Sequence, residues 1–280
     1  MNELKLTIPG LTIACKAWGN PANPPIVAFH GWLDNANSFD KMALYLESQY
    51  YFIAVDLPGH GLSSHLAPGS HYHFIDGVFT MIQIINSLNL NKVHLLGHSL
   101  GACLASLAAG IAPDRFLSVN LIEGLGPFTH PAETACKQLS KYLENLTHKK
   151  SSKKNQAFTF ESAVNARATK GYVSLEIAKK LCERGVIEDN GLFSWRHDRR
   201  LLIPSPLQMT EEQVLSCLRE IRVKTCLYSA SKGFSFNYDL LQKRIKAVRN
   251  LSIHHLTGGH HIHMEQPEVI AKLLAAFIAD

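Results

Sequence analysis

Gly97-His98-Ser99-Leu100-Gly101 sets a serine two residues from a glycine on each side, in the pattern G-x-S-x-G. The apolar run Val93-His94-Leu95-Leu96 precedes it and the small-residue stretch Leu100–Ala112 follows it. A strand that turns this tightly into a helix holds the serine backbone in a strained conformation and exposes its Oγ. The glycines remove side chains that would strike the neighbouring strand and helix. The chemistry this allows is nucleophilic attack by Ser99 on a carbonyl carbon. The Leu100 amide opens the helix, where an N–H without an intrahelical partner can hold an oxyanion.

A serine nucleophile needs a base. Gly258-Gly259-His260-His261-Ile262-His263 follows the last strand-like run and supplies three histidines. His260, directly after the glycine pair, is the candidate that reaches Ser99. His261 and His263 are read as loop surface or as support for it. Acyl transfer also needs a second donor on the developing oxyanion. His30-Gly31-Trp32 ends the first buried run, and the Trp32 N–H is the candidate, the other reading being an ordinary turn with a packed Trp32. Metal binding is the other use of histidine-rich segments such as His71-Tyr72-His73 and His254-His255. No cysteine or carboxylate joins them at ligand spacing, so neither metal nor cofactor is expected.

The elements that must carry these residues are legible as periodicity. Leu4–Ile8 and Leu11–Cys15 flank Pro9-Gly10 and read as a hairpin. Ile26–Phe29, Phe52–Asp56, Val93–Leu96 and Leu117–Ile122 are short apolar runs that read as buried strands. Phe39–Glu47, Phe74–Leu88 and Leu100–Ala112 read as the helices between them. This alternation predicts an α/β fold, a mostly parallel sheet with helices on both faces. From 128 to about 220 the pattern breaks into helices and loops with no strong strand: Ala132–Leu146, Phe160–Ala168, Val173–Arg184 and Glu211–Ile221. Thr210 and Gln213 form a capping box at the start of the last. Thr225–Tyr228 and Leu251–His254 resume the sheet, and Tyr238–Val248 and Pro267–Ala279 close the chain. The expected organisation is a core of 1–127 and 221–280 with a helical cap, or lid, inserted at 128–220.

Composition narrows the function classes. Of 280 residues, 46% are hydrophobic and 18% charged, enough for a sizeable core and too apolar for disorder. The net charge of +5 divides as −3 over 1–127, +4 over 128–220 and +4 over 221–280. No basic stripe is interleaved with aromatics, so no nucleic-acid partner is expected. Lys149–Lys154 is a charge run read as a solvated loop. No apolar run is long enough for a membrane span. The N-terminus lacks the apolar core of a signal peptide, and six cysteines show no pairing pattern, so a cytoplasmic protein with reduced thiols is expected. Oligomeric state is not legible.

Together, His30-Gly31, Asp56-Leu57-Pro58-Gly59-His60-Gly61-Leu62-Ser63, Gly97-His98-Ser99-Leu100-Gly101 and Gly259-His260 followed by Glu265-Gln266-Pro267 resemble the α/β-hydrolase superfamily. His30-Gly31-Trp32-Leu33-Asp34-Asn35 and His260-His261-Ile262-His263 resemble its serine hydrolase-like branch. The resemblance covers roughly 26–127 and 224–278. It implies the α/β-hydrolase fold, Ser99 as nucleophile and the insertion as that superfamily's cap. It says little about substrate.

One element departs from that pattern. The superfamily usually carries its triad acid just after the strand found here at Thr225–Tyr228, yet Ser229–Phe236 contains no carboxylate. Asp239 is the first acid downstream, at a helix start. Glu123 ends the preceding strand, beside the nucleophile strand, and is the expected acid, with Asp239 the alternative. In the cap, Phe193 and the run Trp195–Arg200 either line the entrance or pin the cap by ion pairs. His30, Phe128, Phe193 and Trp195 are the pocket candidates, Phe128 with Trp32 and Leu100 forming an apolar acyl site. The combined expectation is a cofactor-free serine hydrolase acting on a small or medium uncharged carboxylic ester through an acyl-enzyme. A non-catalytic protein of the same fold that binds a small ligand or a protein partner is the alternative.

Overall fold

Alternation of two in the short apolar runs decides which side chains face which layer of helices. In Ile26-Val27-Ala28-Phe29, Ile26 and Ala28 join one buried cluster and Val27 and Phe29 the other. Strands covered on both faces lose the polar alternation of exposed sheets, which is why these segments read as continuous apolar runs. The computed structural model describes residues 1–147, 158–235 and 237–280. The Lys149–Lys154 run lies outside the described residues.

The first half comprises β1 (Asn2–Ile8), β2 (Leu11–Trp18), β3 (Pro25–Phe29), α1 (Asp40–Leu44), β4 (Tyr51–Val55), α2 (Phe74–Ser87), β5 (Val93–His98), α3 (Leu100–Ile111) and β6 (Phe116–Ile122). There follow α4 (Ala135–Thr147), α5 (Phe160–Gly171), α6 (Leu175–Gly185), β7 (Val186–Asp189), β8 (Leu192–Trp195) and α7 (Glu211–Arg219). The chain closes with β9 (Thr225–Lys232), α8 (Tyr238–Ala247), β10 (Leu251–Gly259), α9 (Ile262–Glu265) and α10 (Pro267–Ala279).

Eight strands form one sheet in the order β1-β2-β4-β3-β5-β6-β9-β10. The pairs from β4 through β10 are parallel, and β1 and β2 add antiparallel at one edge. This is the α/β-hydrolase architecture. Val78, Met81, Ile84 and Ile85 of α2 recur at helical spacing and pack with Leu104 and Leu107 of α3 on one face of the sheet. Met42 and Ala43 of α1 and Ile270, Ala271 and Leu274 of α10 cover the other face. Because β5, β6 and β10 run parallel, their C-terminal ends, and the residues that follow them, gather on one edge.

The 128–220 segment is mostly helical, with one difference from the sequence reading. β7 and β8 pair as a hairpin turned by Asn190 and Gly191 at φ 52° and 78°. The Asn-Gly signal was present, but four residues per strand are too few to show a period. α5, α6 and this hairpin share an apolar cluster of their own around Ala163, Ala178 and Cys182. α7, with its capping box of Thr210 and Gln213, instead sends Val214 and Leu218 into the main core.

Candidate active site

Ser99 stands between β5 and α3 at φ 51° and ψ −111°, a left-handed backbone that a non-glycine residue adopts only under constraint. Two contacts hold it there. The Ser99 N–H donates to the Ile122 carbonyl at 2.9 Å, and the Gly101 N–H donates to the His30 carbonyl at 3.2 Å. At Gly101 a Cβ would come within 2.1 Å of the Phe29 carbonyl oxygen, so only glycine lets α3 start this close to β3. The same contact brings the loop bearing Trp32 beside the helix turn bearing Leu100.

His260 follows β10, and its Nε2 lies 2.9 Å from Ser99 Oγ. Its Nδ1 lies 3.1 Å from Glu123 Oε2. A carboxylate only accepts, so Nδ1 carries the ring proton and Nε2 presents a lone pair to the serine hydroxyl. Glu123, 3% exposed, sits just beyond β6 at φ 55°. A carboxylate this buried needs donors. The Ala230 N–H supplies one at 2.6 Å and the Phe234 N–H another at 2.8 Å. Asp239 lies exposed in the first turn of α8, where the helix dipole favours an acid. The cap of that helix is Asn237, whose Oδ1 accepts from the Leu240 N–H at 3.1 Å.

The three loop histidines have separate surroundings. His263 is fully buried with Nε2 2.6 Å from Ser38 Oγ. His261 turns away from Ser99 and places Nε2 3.1 Å from Asp34 Oδ2. His98 Nδ1 lies 3.6 Å from the same oxygen, and the Arg167 guanidinium of α5 binds the other one. Burial alone would raise the Asp34 carboxyl. The His261 and Arg167 charges outweigh it and hold Asp34 well below the usual carboxylate range. Asp34, His98 and His261 offer atoms within 4.8 Å of one another, a cation's spacing, and Arg167 supplies the positive charge beside them.

The pocket candidates separate on inspection. His30 is fully buried. Its Nε2 accepts from the Leu57 N–H at 3.0 Å and its Nδ1 donates to the Gly31 carbonyl at 2.7 Å, so both ring nitrogens brace the turn. Phe193 and Trp195 pack into the cluster of α5, α6 and the hairpin, at 5.5 Å from Phe160 and 5.2 Å from Phe158 between ring centroids. Their aromatic size serves that cluster. Phe128 is exposed and its ring lies 5.4 Å from Phe234, which in turn lies 5.9 Å from His260. Phe128 also borders a cavity of about 240 Å³ with Phe74, Leu207 and Met209. Trp32 is half exposed and donates Nε1–H to the Leu201 carbonyl at 3.1 Å.

Sequence reasoning missed Asp34, His98 and Arg167. In the sequence Asp34 stands out only within His30-Gly31-Trp32-Leu33-Asp34-Asn35, and His98 occupies a position of G-x-S-x-G that the motif leaves unspecified. Arg167 comes from a helix whose packing partner has no sequence signature. Among the described residues no helix is long and apolar enough to cross a membrane, and all six cysteines stand unpaired.

Residues 24–267 match the sequence profile of the alpha/beta hydrolase fold, and the chain belongs to that family. It is 26% identical to the serine hydrolase-like protein of Mus musculus, over 99% of this chain and 95% of that one. The crystal structure of a hypothetical protein from Pseudomonas aeruginosa PAO1 superposes with a TM-score of 0.93 at 33% identity, covering 100% of this chain and 99% of that one. The thioesterase domain from the curacin biosynthetic pathway superposes with a TM-score of 0.84 at 26% identity, covering 98% and 99%.

Proposed function

We propose that the chain is a serine hydrolase that cleaves a small or medium uncharged carboxylic ester through an acyl-enzyme. The observation that carries this reading is the line of Ser99 Oγ, His260 Nε2, His260 Nδ1 and Glu123 Oε2, with steps of 2.9 and 3.1 Å. Ser99 attacks the carbonyl carbon while His260 takes the hydroxyl proton. The imidazolium then gives that proton to the leaving alkoxide. Water repeats the sequence on the acyl-enzyme and releases the acid. Glu123 fixes the tautomer of His260 and stabilises its cation. The Trp32 and Leu100 amides hold the oxyanion. Residues 128–220 act as the lid over this site, and Phe128 provides apolar surface for the acyl group. The reaction consumes only water, so no cofactor enters it.

An ester and an acyl thioester demand the same machinery and differ in the leaving group, and one structural relative is named a thioesterase domain. The test is active-site labelling by a fluorophosphonate, followed by turnover of p-nitrophenyl esters of graded acyl length alongside matched thioesters. Labelling at Ser99 with faster ester turnover is the expected result. An unlabelled protein would instead be a ligand-binding member of the fold.

A further inference from the structure

Four segments remote in sequence meet on one carboxylate. Asp34, 2% exposed, belongs to the loop after β3. His98 reaches it from the nucleophile turn, His261 from the loop after β10, and Arg167 from α5 in the 128–220 segment. His98 immediately precedes Ser99 in the chain, and its ring centroid lies 4.9 Å from that of His260.

The tautomer of His98 follows from its contacts. Its Nε2 lies 2.9 Å from the backbone carbonyl oxygen of His260. A carbonyl only accepts, so Nε2 carries the proton and His98 grips the backbone of the residue that faces Ser99. Nδ1 then presents a bare lone pair toward Asp34 Oδ2 and has no hydrogen-bond partner of its own. Burial pushes His98 down to about 4, so it does not supply a proton to that gap near neutral pH. Asp34 keeps its charge against His98 because His261 holds its Oδ2 at 3.1 Å and the Arg167 guanidinium, the permanent cation, holds its Oδ1. A buried carboxylate stripped of such a partner is strongly unfavourable and rearranges.

We propose that Asp34 is a positioning residue that ties the seating of α5 to the placement of His260, with Arg167 as the contact from the lid and His98 as the contact to the His260 backbone. The inference rests on the reading of Ser99, His260 and Glu123 as the reacting line. The base is then held in register only while α5 is docked, and the lid contributes to the rate even on substrates too small to touch it.

The test compares Arg167→Gln, Arg167→Lys and Asp34→Asn with the parent protein on p-nitrophenyl acetate. Arg167→Gln is expected to lower kcat at least tenfold with KM within twofold, and Arg167→Lys, which keeps the charge, to recover most of that loss. In an Asp34→Asn background, Arg167→Gln should cost less than twofold more, because its partner is already neutral. A change confined to KM would make Arg167 a substrate-binding residue and overturn the proposal. The second readout needs no turnover: the His260 Nδ1–H resonance in histidine-labelled protein should shift or broaden in Arg167→Gln. An unmoved resonance overturns the coupling even if the parent protein hydrolyses no ester. A shifted resonance in a parent that fluorophosphonates fail to label supports the coupling and removes the hydrolase reading alone. If Arg167→Gln does not fold, Asp34→Asn carries both measurements.

Discussion

Glu123 reaches His260 Nδ1 at 3.1 Å from the end of β6, not from the loop after β9. β6 lies next to β5 in the sheet, so Glu123 stands one strand from Ser99. The Glu123→Gln variant keeps the shape and removes the charge. It is expected to lower kcat on p-nitrophenyl acetate by roughly 10²- to 10⁴-fold. Asp239→Asn, at an exposed helix start, should stay within twofold. The reverse order in side-by-side kinetics would show that the acid comes from Asp239.

Ser99→Ala removes the attacking atom and little else. Steady-state kinetics should show a loss of at least about 10³-fold in kcat. A thermal melt should show a stability equal to or above the parent's, because the strained backbone at position 99 is kept by the surrounding contacts. Near-parental turnover would exclude Ser99 as nucleophile.

Arg184 of α6 is 6% exposed and ties the 128–220 segment to residues near the main sheet. Its Nε donates to Asp56 Oδ2 at 2.7 Å, and its terminal nitrogens donate to Glu3 at 2.6 and 2.9 Å. Asp56 is fully buried and also accepts from the Ala36 and Leu62 amides at 2.7 and 2.9 Å. Arg184→Met leaves that charge without its cation and is expected to cost about 3–5 kcal/mol in urea unfolding. A loss below about 1 kcal/mol would place the strength of the attachment of α6 elsewhere.

Stability should fall with pH below neutrality. Burial lowers His60 to about 3 and both His94 and His98 to about 4, from 6.5. Below 6.5 the unfolded chain binds protons at these positions and the folded chain does not. Their contribution is therefore complete above 6.5 and is lost as pH falls toward 4, at up to about 1.4 kcal/mol per group per pH unit. The urea midpoint at pH 5 should lie well below that at pH 7.5, and a flat profile would contradict the neutral, buried state of these rings.

Phe128 and Trp195 should behave differently when truncated. Phe128→Ala removes exposed apolar surface beside Phe234 and is expected to weaken kcat/KM for longer acyl chains while sparing acetate. Trp195→Ala opens a gap beside Phe158 and should lower the melting temperature instead. Identical chain-length profiles for parent and Phe128→Ala would remove Phe128 from the acyl site.

Much of this was legible in the chain because local physics specifies it. Strands β3 to β6 are apolar runs ending in turns, and the Ser99 turn requires its glycines. That Glu123 and not Asp239 faces His260 was reachable because strand order places one beside β5 and the other on a helix. The Asp34 cluster was not legible. It depends on three loops and helix α5 converging, and no period or spacing records such a meeting. The packing of Phe193 and Trp195 was hidden for a related reason: an aromatic in an insertion can join the insertion's own small core, and sequence does not record that packing.

Glu123 takes two of its hydrogen bonds from the backbone of Ala230, near the end of β9, and of Phe234, just beyond it, which has a consequence for how the strand end and the loop after it can change. The carboxylate reads main-chain amides, so the loop answers to a backbone shape and leaves most side chains free to drift. Proline is barred at positions 230 and 234, since it would delete the donated N–H. At Gly233 any Cβ would fall 2.0 Å from Glu123 Oε2, so a larger residue there must push the carboxylate aside. Elsewhere in the loop, a saturation library should tolerate broad replacement around these three constrained points.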